Sequence, residues 1–217
     1  MTAWHVVNAY ISTRLASVTT ATYHHENLRE TLLQLAESTV QRSGVESLSL
    51  RQLARDAKVS HAAPARHFRD KRALLDALAL DGFERLNRAM ADAAASSGSF
   101  DARFRAIATA YVSFAVDNAA LLGLMYTVKH EADASDALVE AGRGSMRAAV
   151  ELIAEAQAAG AVQPGDPERL ALVAFASVHG VAALATGNLL EGVSVEEATE
   201  ATVDVLLSAI AAAAPTA

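Results

Sequence analysis

Apolar residues recur every three or four positions through most of this chain, the spacing of one face of an α-helix. Leu28, Leu32, Leu35, Ala36 and Val40 predict a first helix over about 25–43. Leu48, Leu50, Leu53, Ala54 and Ala57 supply the packing face of a short second helix, and Val59 closes the turn after it. Ser60 can accept from an otherwise unpaired backbone N–H, so it predicts the start of a third helix over roughly 61–67. Leu74, Leu75, Leu78, Gly82 and Leu86 share one face of a fourth helix over about 71–93. The polar run at 96–99 is a break, and Phe104, Ile107, Ala108, Tyr111, Val112 and Ala115 mark a fifth helix. A sixth spans about 118–127, and a long seventh spans about 133–159, ending at Gly160. Asp166 caps an eighth helix that runs to about 187, with Pro167 at its first position, where the missing N–H costs nothing. Ser194 caps a ninth, and Glu196 and Glu197 suit its positive N-terminal dipole. No segment alternates like a strand and no internal repeat is present, so the fold class is all-α.

The predicted third helix is the odd one. It is short and carries few large apolar groups, so its own burial cannot hold it, and its exposed face is kept for something else. Two short helices joined by a tight turn, followed by a long helix, are the spacing of a helix-turn-helix, whose second helix enters the DNA major groove. The chain then reads as an N-terminal three-helix domain over 22–72, a connecting helix over 71–93, and a C-terminal helical domain over 94–213. Residues 1–21 hold a single charge, Arg14, and lack the basic start and apolar run of a signal peptide; they read as a disordered arm or a leader from an upstream start codon.

Charge sharpens this picture. The 217-residue chain has a net charge of −7, yet residues 49–72 carry seven basic groups against two acids. Residues 73–217 carry eight basic groups against nineteen acids. A basic patch on an acidic protein is an electrostatic footprint for phosphate. Alanine is abundant and only four prolines interrupt the chain, which favours helix. There is no cysteine, which excludes disulfides and thiolate-ligated metals and fits a reducing cytoplasm. No cofactor or metal site is expected: His24 and His25 are adjacent, and neighbouring residues on a helix point apart. No run reaches the ~18 apolar residues of a membrane span.

Specific motifs extend the reading. Gly44, Ser49, Leu53-Ala54, Val59-Ser60, His67-Phe68 and Lys71 follow one another at fixed spacing, and YHHENLRETLL occupies 23–33. From Tyr23 to about Leu86 the chain resembles the N-terminal domain of TetR-type (tetracycline-repressor-like) transcriptional regulators. The segment AFASVHGVAAL at 174–184 is similar to the His-Gly element in the C-terminal domain of one branch of that family, with Val178 where a Trp is common. Two positions depart from the family pattern. Ala65 stands where many members have a phosphate-contacting Tyr, and Lys58 stands at the turn position usually held by Gly.

The resemblance implies a cytoplasmic, ligand-responsive regulator, by family norm a repressor, that is not an enzyme. The expected DNA-binding residues are Ser49, Arg51, Lys58, Ser60, His61, Ala62, Ala63, Arg66, His67 and Lys71. Arg66 is the best base reader by chemistry, because its fork can pair with guanine O6 and N7. Lys71 resembles the family's phosphate-binding lysine, and Ser49 begins a helix whose free N–H groups suit a phosphate. The expected effector residues are Phe104, Tyr111, Phe114, Met125, Tyr126, His130, Met146, Phe175 and His179, a set suited to a small hydrophobic molecule. The fourth and sixth helices transmit the effector's signal by family analogy.

A homodimer on a palindromic DNA operator completes the expectation. The apolar faces of the eighth helix (Val173, Ala174, Ser177, Gly180, Val181, Leu184) and ninth helix (Val205, Leu206, Ala209, Ile210) are suited to a four-helix dimer interface. Packing of those faces inside one chain is the alternative. Two rival functions stand beside the regulator. An α-helical enzyme lacks support, since there is no Cys, HExxH or GxSxG motif and His130-Glu131 stands alone. A helical ligand- or protein-binding dimer with a non-functional DNA motif draws support from Ala65 and Lys58.

Overall fold

A computed structural model describes residues 28–211, and the sequence readings on 1–21, His24 and His25 lie outside them. The chain divides into two compact units, Met1–Leu74 and Leu75–Ala217. Described residues of the first unit begin within α1, which ends at 43. Gly44 stops it with a φ of 76°, a left-handed conformation that side chains disfavour. A 3-10 turn, Val45–Ser47, leads to α2, Leu50–Asp56. Leu32, Ala36, Val40, Leu53, Ala54 and Phe68 are buried together with Leu48 and Leu74 as the core of this unit. The Arg29 guanidinium covers the Phe68 ring at 5.6 Å from its centroid.

The turn after α2 closes as the sequence predicts, through two bonds. Val59 N–H donates to the Ala54 carbonyl at 2.9 Å and Lys58 N–H to the Arg55 carbonyl at 3.0 Å, the pattern of a left-handed C-terminal cap. Lys58 takes the φ of 55° that the pattern requires. A lysine there carries a strain of about 1 kcal/mol. Lys58→Gly is therefore expected to raise stability by roughly 0.5 kcal/mol once glycine's greater unfolded-state freedom is counted. The midpoint of urea unfolding reads this, with Lys58→Ala as the strained control.

The third predicted helix needs correction. Residues 61–67 do not form an α-helix capped by Ser60; they form turns and one 3-10 turn, Pro64–Arg66, with Ala63 at its N-cap and no side-chain capping bond. Proline explains this. Pro64 falls where the first i→i−4 bond, back to the Ser60 carbonyl, should form, and it has no N–H to make that bond. The segment closes instead by i→i−3 bonds from Ala63 to Ser60, Arg66 to Ala63 and His67 to Pro64. Pro64 itself is buried, so it also anchors the segment.

α3, Lys71–Ala94, begins at Asp70, whose carboxylate accepts from Ala73 N–H at 2.8 Å. The second unit holds most of α3 and then α4 (Phe100–Asp117), α5 (Ala119–Val128), α6 (Asp136–Gly144), α7 (Arg147–Ala158), α8 (Pro167–Thr186) and α9 (Val195–Ile210). α4 is the central helix, packed on α5, α7, α8 and α9. Its buried face is the predicted set Phe104, Ile107, Ala108, Tyr111, Val112 and Ala115. Side-chain caps fix the helix starts: Ser99 for α4, Ser135 for α6, Asp166 for α8 and Ser194 for α9. Among the described residues the only bridge of β type joins Val162 and Ala211.

A second correction concerns the long seventh helix. The span 133–159 is two helices, α6 and α7, meeting at Ser145-Met146. Two glycines explain the break, since each weakens a helix and admits a neighbour. A Cβ on Gly142 would stand 2.6 Å from Lys129 Cδ, and one on Gly144 would stand 3.2 Å from Asn87 Nδ2. The Ser145 hydroxyl also donates to the Gly142 carbonyl at 2.8 Å. At the other end, Ser135 starts α6 and is tied to α3: its N–H and its hydroxyl donate to the two Asp76 oxygens at 2.9 and 2.7 Å. Ser135→Ala removes the cap and one of these bonds. It is expected to cost about 1–2 kcal/mol in chemical denaturation.

α8 has an 18-residue window of mean hydropathy 1.6, long and apolar enough to cross a membrane by length and composition.

Candidate functional site

The helix-turn-helix unit presents its polar side chains mostly to solvent. Ser49 sits at the N-cap of α2 with extended backbone, and its side chain makes no capping bond. Arg51, Lys58, Ser60, His61, Ala62, Ala65 and Arg66 are exposed, Ala63 and His67 half-buried. Arg69 is exposed and pairs with Asp70 at 3.2 Å, a contact worth little in water. Lys71 reaches across the unit, its Nζ 3.4 Å from the Glu46 carbonyl. Its ammonium thereby meets the 3-10 turn that precedes α2. Arg51 lies on α2, Lys58 in the turn after it, Arg66 on the 3-10 turn and Lys71 at the start of α3, four positive groups within one helix-turn-helix unit. Phe68 is core and cannot touch a ligand there.

In the second unit, four of the nine expected effector residues share one cavity. Phe104, Tyr111, Met146 and Phe175 line an apolar void of about 30 Å³ between α3, α4, α7 and α8. Met90, Ile107 and Val178 also line it, and sequence reasoning missed them because they look like ordinary core positions; the signal was the facing rows at 104, 107, 108, 111 and 171, 174, 175, 178. Tyr126 and His179 line a second, wider groove of about 340 Å³ with Leu122, Ala182 and Thr186, its rim exposed at Gly123 and Ala183. The void and the groove meet at an aromatic cluster. The Tyr111 hydroxyl is 2.7 Å from His179 Nδ1. Phe175 stacks on His179 with centroids 5.4 Å apart, and its ring meets Tyr111 edge-on at 5.4 Å. Burial, with the neighbouring Tyr126 hydroxyl, pushes the Tyr111 phenol far above the ordinary range; burial also raises Tyr126.

The other three expected residues lie apart from the void and the groove. Met125 is fully buried, its sulfur filling the space beside Gly82. Phe114 is half-buried under the Arg85 guanidinium, 5.8 Å from its centroid. His130 is exposed just past the end of α5. Sequence reasoning also passed over Lys129. Its ammonium lies over the rings of Tyr126 (4.9 Å) and Phe83 (5.4 Å), and burial lowers its pKa.

The expected dimer faces divide. Ala174, Val181, Leu206 and Ile210 are buried within the chain, because α8 packs on both α4 and α9. Val173, Ala176, Ala183 and Leu184 remain exposed on α8, and Ala201, Val205 and Ala209 on α9. Val205 is 70% and Val173 57% exposed. Gly180, on the same stripe, has nothing within 4 Å of where a Cβ would stand.

An all-α chain whose first unit is a basic helix-turn-helix and whose second is a cavity-bearing helical domain defines a class of DNA-binding regulator. Comparison with known proteins agrees. The family model described as "Bacterial regulatory proteins, tetR family" matches residues 32–78, and "Tetracyclin repressor-like, C-terminal domain" matches residues 104–210. A solved protein of unknown function from Rhodococcus sp. RHA1 is 52% identical, with a TM-score of 0.81 over 85% of this chain and 95% of that one. A TetR family transcription regulator from Marinobacter aquaeolei VT8 shares the fold at 16% identity, with a TM-score of 0.70 over 88% of this chain and 100% of the other. A tetR family regulatory protein from Rhodococcus RHA1 does so at 19% identity, with a TM-score of 0.70 over 86% and 98%. No curated protein matches the sequence. The chain belongs to the TetR family of transcriptional regulators. Members of that family bind DNA and are generally dimers.

Proposed function

We propose that this protein is a repressor that binds a palindromic DNA operator as a homodimer and leaves it when a small apolar effector binds. The observation that carries this is the set of accessible cations at Arg51, Lys58, Arg66 and Lys71 on an otherwise acidic chain. Such groups neutralise phosphates and release counter-ions. Arg66 and His61, on the exposed turn, are the side chains able to reach base edges, and the Ala62 and Ala65 methyls suit contact with thymine methyl groups. Ser49, Ser60, Ala63 and His67 stand as backbone-positioning contacts.

Two copies double the footprint and make the preferred site symmetric. The exposed stripes of α8 and α9 supply the interface: two helices from each chain form a four-helix bundle, and Gly180 lets them approach closely. The same stripes account for the apolar character of α8 without a membrane. Effector binding lowers DNA affinity, and DNA lowers effector affinity by the same factor. Such a protein works in the cytoplasm, beside its DNA.

A second reading has one observation in its favour. The reading segment is a 3-10 turn with Ala65 on its exposed side, so the chain is alternatively a ligand-binding dimer without operator function. Binding to generic duplex DNA separates the two. The repressor loses affinity in proportion to the number of phosphates contacted as salt rises above ~50 mM. A chain that leaves duplex DNA unbound even at low salt is the ligand-binding dimer.

A further inference from the structure

We propose that Lys129 is a covalent capture site for small apolar aldehydes, its amine forming an imine beside the Phe83 and Tyr126 rings. Lys129 lines neither the narrow void nor the groove, and the site stands whether or not the chain is a repressor. Sequence supplies the first ground. Only three lysines, Lys58, Lys71 and Lys129, stand among the 18 Lys and Arg residues, and Lys129 is the one lysine between Leu75 and Ala217, beside seven arginines. Arginine supplies charge and a fork of donors but stays protonated, whereas lysine can offer a nucleophilic amine.

The pose supplies the second ground. Lys129 is the C-cap of α5. Its stem lies on Gly142 of α6, where a Cβ would stand 2.6 Å from Cδ and 3.4 Å from Nζ, so glycine admits the lysine there. The Nζ end lies 4.9 Å from the Tyr126 ring centroid and 5.4 Å from that of Phe83, two rings that meet edge to face at 5.6 Å. Lys129 is half-buried and makes no hydrogen bond or ion pair among the described residues. The ring faces and the C-terminal end of α5 favour the ammonium. Burial without a carboxylate opposes them and prevails, holding the amine below the usual lysine range. Of the residues it touches there, only Tyr126 titrates, and burial keeps its phenol protonated. A lysine that gives up its proton readily against apolar neighbours is the setting in which imines form.

The step is a condensation. The neutral amine attacks the carbonyl carbon, a C–N bond forms, and the carbinolamine loses water as its C–O bond breaks. Nothing is oxidised or reduced. An aldehyde fits because its carbonyl carbon carries one substituent and can reach a half-buried amine, while its apolar chain lies against the rings. Capture puts a bulkier, less basic nitrogen where the end of α5 faces Phe83 of α3 and Gly142 of α6.

The test uses the full chain with butanal and sodium cyanoborohydride, which fixes each imine as a butylated amine, followed by peptide mass spectrometry of the three lysines. At neutral pH the initial rate at Lys129 is expected to exceed that at the exposed Lys58 roughly threefold or more. The lead narrows as pH rises to ~10, where every lysine amine is increasingly neutral, and it vanishes in urea. In Gly142→Ala the added Cβ turns the flexible lysine end outward, and Lys129 reacts as Lys58 does. Labelling of Lys129 no faster than Lys58 at neutral pH would mark it as a structural cation held on two rings and overturn the proposal. A lead that persists in urea, or that Gly142→Ala leaves intact, overturns it as well, because the advantage then owes nothing to the buried pose.

Discussion

Replacing Arg66 and Lys71 together by alanine is expected to abolish operator binding while the chain stays folded and dimeric. Arg66 is exposed, and Lys71 makes one long contact to the Glu46 carbonyl, so removing both changes stability by no more than about 0.5 kcal/mol. Their DNA roles differ, and the single variants show it. Arg66→Ala removes a fork able to hold one guanine, worth about 1–3 kcal/mol per half-site, and relaxes sequence preference at that position. Lys71→Ala removes a phosphate contact. It weakens binding to all duplexes alike and lowers the slope of log affinity against log salt by about 0.9 per half-site. A dimer feels each change twice, so the double variant falls by roughly 10³-fold or more. Fluorescence anisotropy on operator and scrambled duplexes, with circular dichroism as the folding control, reads all of this.

Val205→Asp is expected to split the dimer into folded monomers. Val205 is the most exposed of the large apolar side chains named on α8 and α9, so in a monomer the aspartate is solvated and nearly free of cost. In the proposed α8–α9 interface the substitution would bury a carboxylate from each chain, on a helix that already carries Glu196, Glu197, Glu200 and Asp204. The penalty is about 3–5 kcal/mol, a weakening of the dimer by 10²-fold or more. Analytical ultracentrifugation at micromolar concentration is expected to show a monomer. Operator affinity falls with it, because half-sites are then bound singly. Leu207→Asp is the contrasting case: Leu207 is buried within the chain, and that variant unfolds rather than dissociates.

What sequence could and could not show follows from where each interaction closes. The starts of α8 and α9 were legible because Asp166-Pro167 and Ser194 with Glu197 act within three residues of themselves. The buried face of α4 was legible because a helix repeats its neighbours every turn. The segment 61–67 misled because Ser60 is a good cap in isolation, while Pro64 four residues on removes the bond the cap was meant to start. The span 133–159 misled for a different reason. Its break depends on Lys129 and Asn87 entering at Gly142 and Gly144, from the end of α5 and from α3. Likewise, nothing in the local sequence of Met125 says that its sulfur fills the space beside Gly82. Phe104, Tyr111, Met146 and Phe175 converge on one cavity, but its second wall comes from residues whose periodicity marks only core.

The most direct test is selection of the purified protein on random duplex DNA at two salt concentrations. Enrichment of a palindrome, with half-sites about one helical turn apart and affinity falling steeply as salt rises, is the result expected of a dimeric reader. Weak binding with no sequence preference at either salt would contradict it and make the helical ligand-binding dimer the better description.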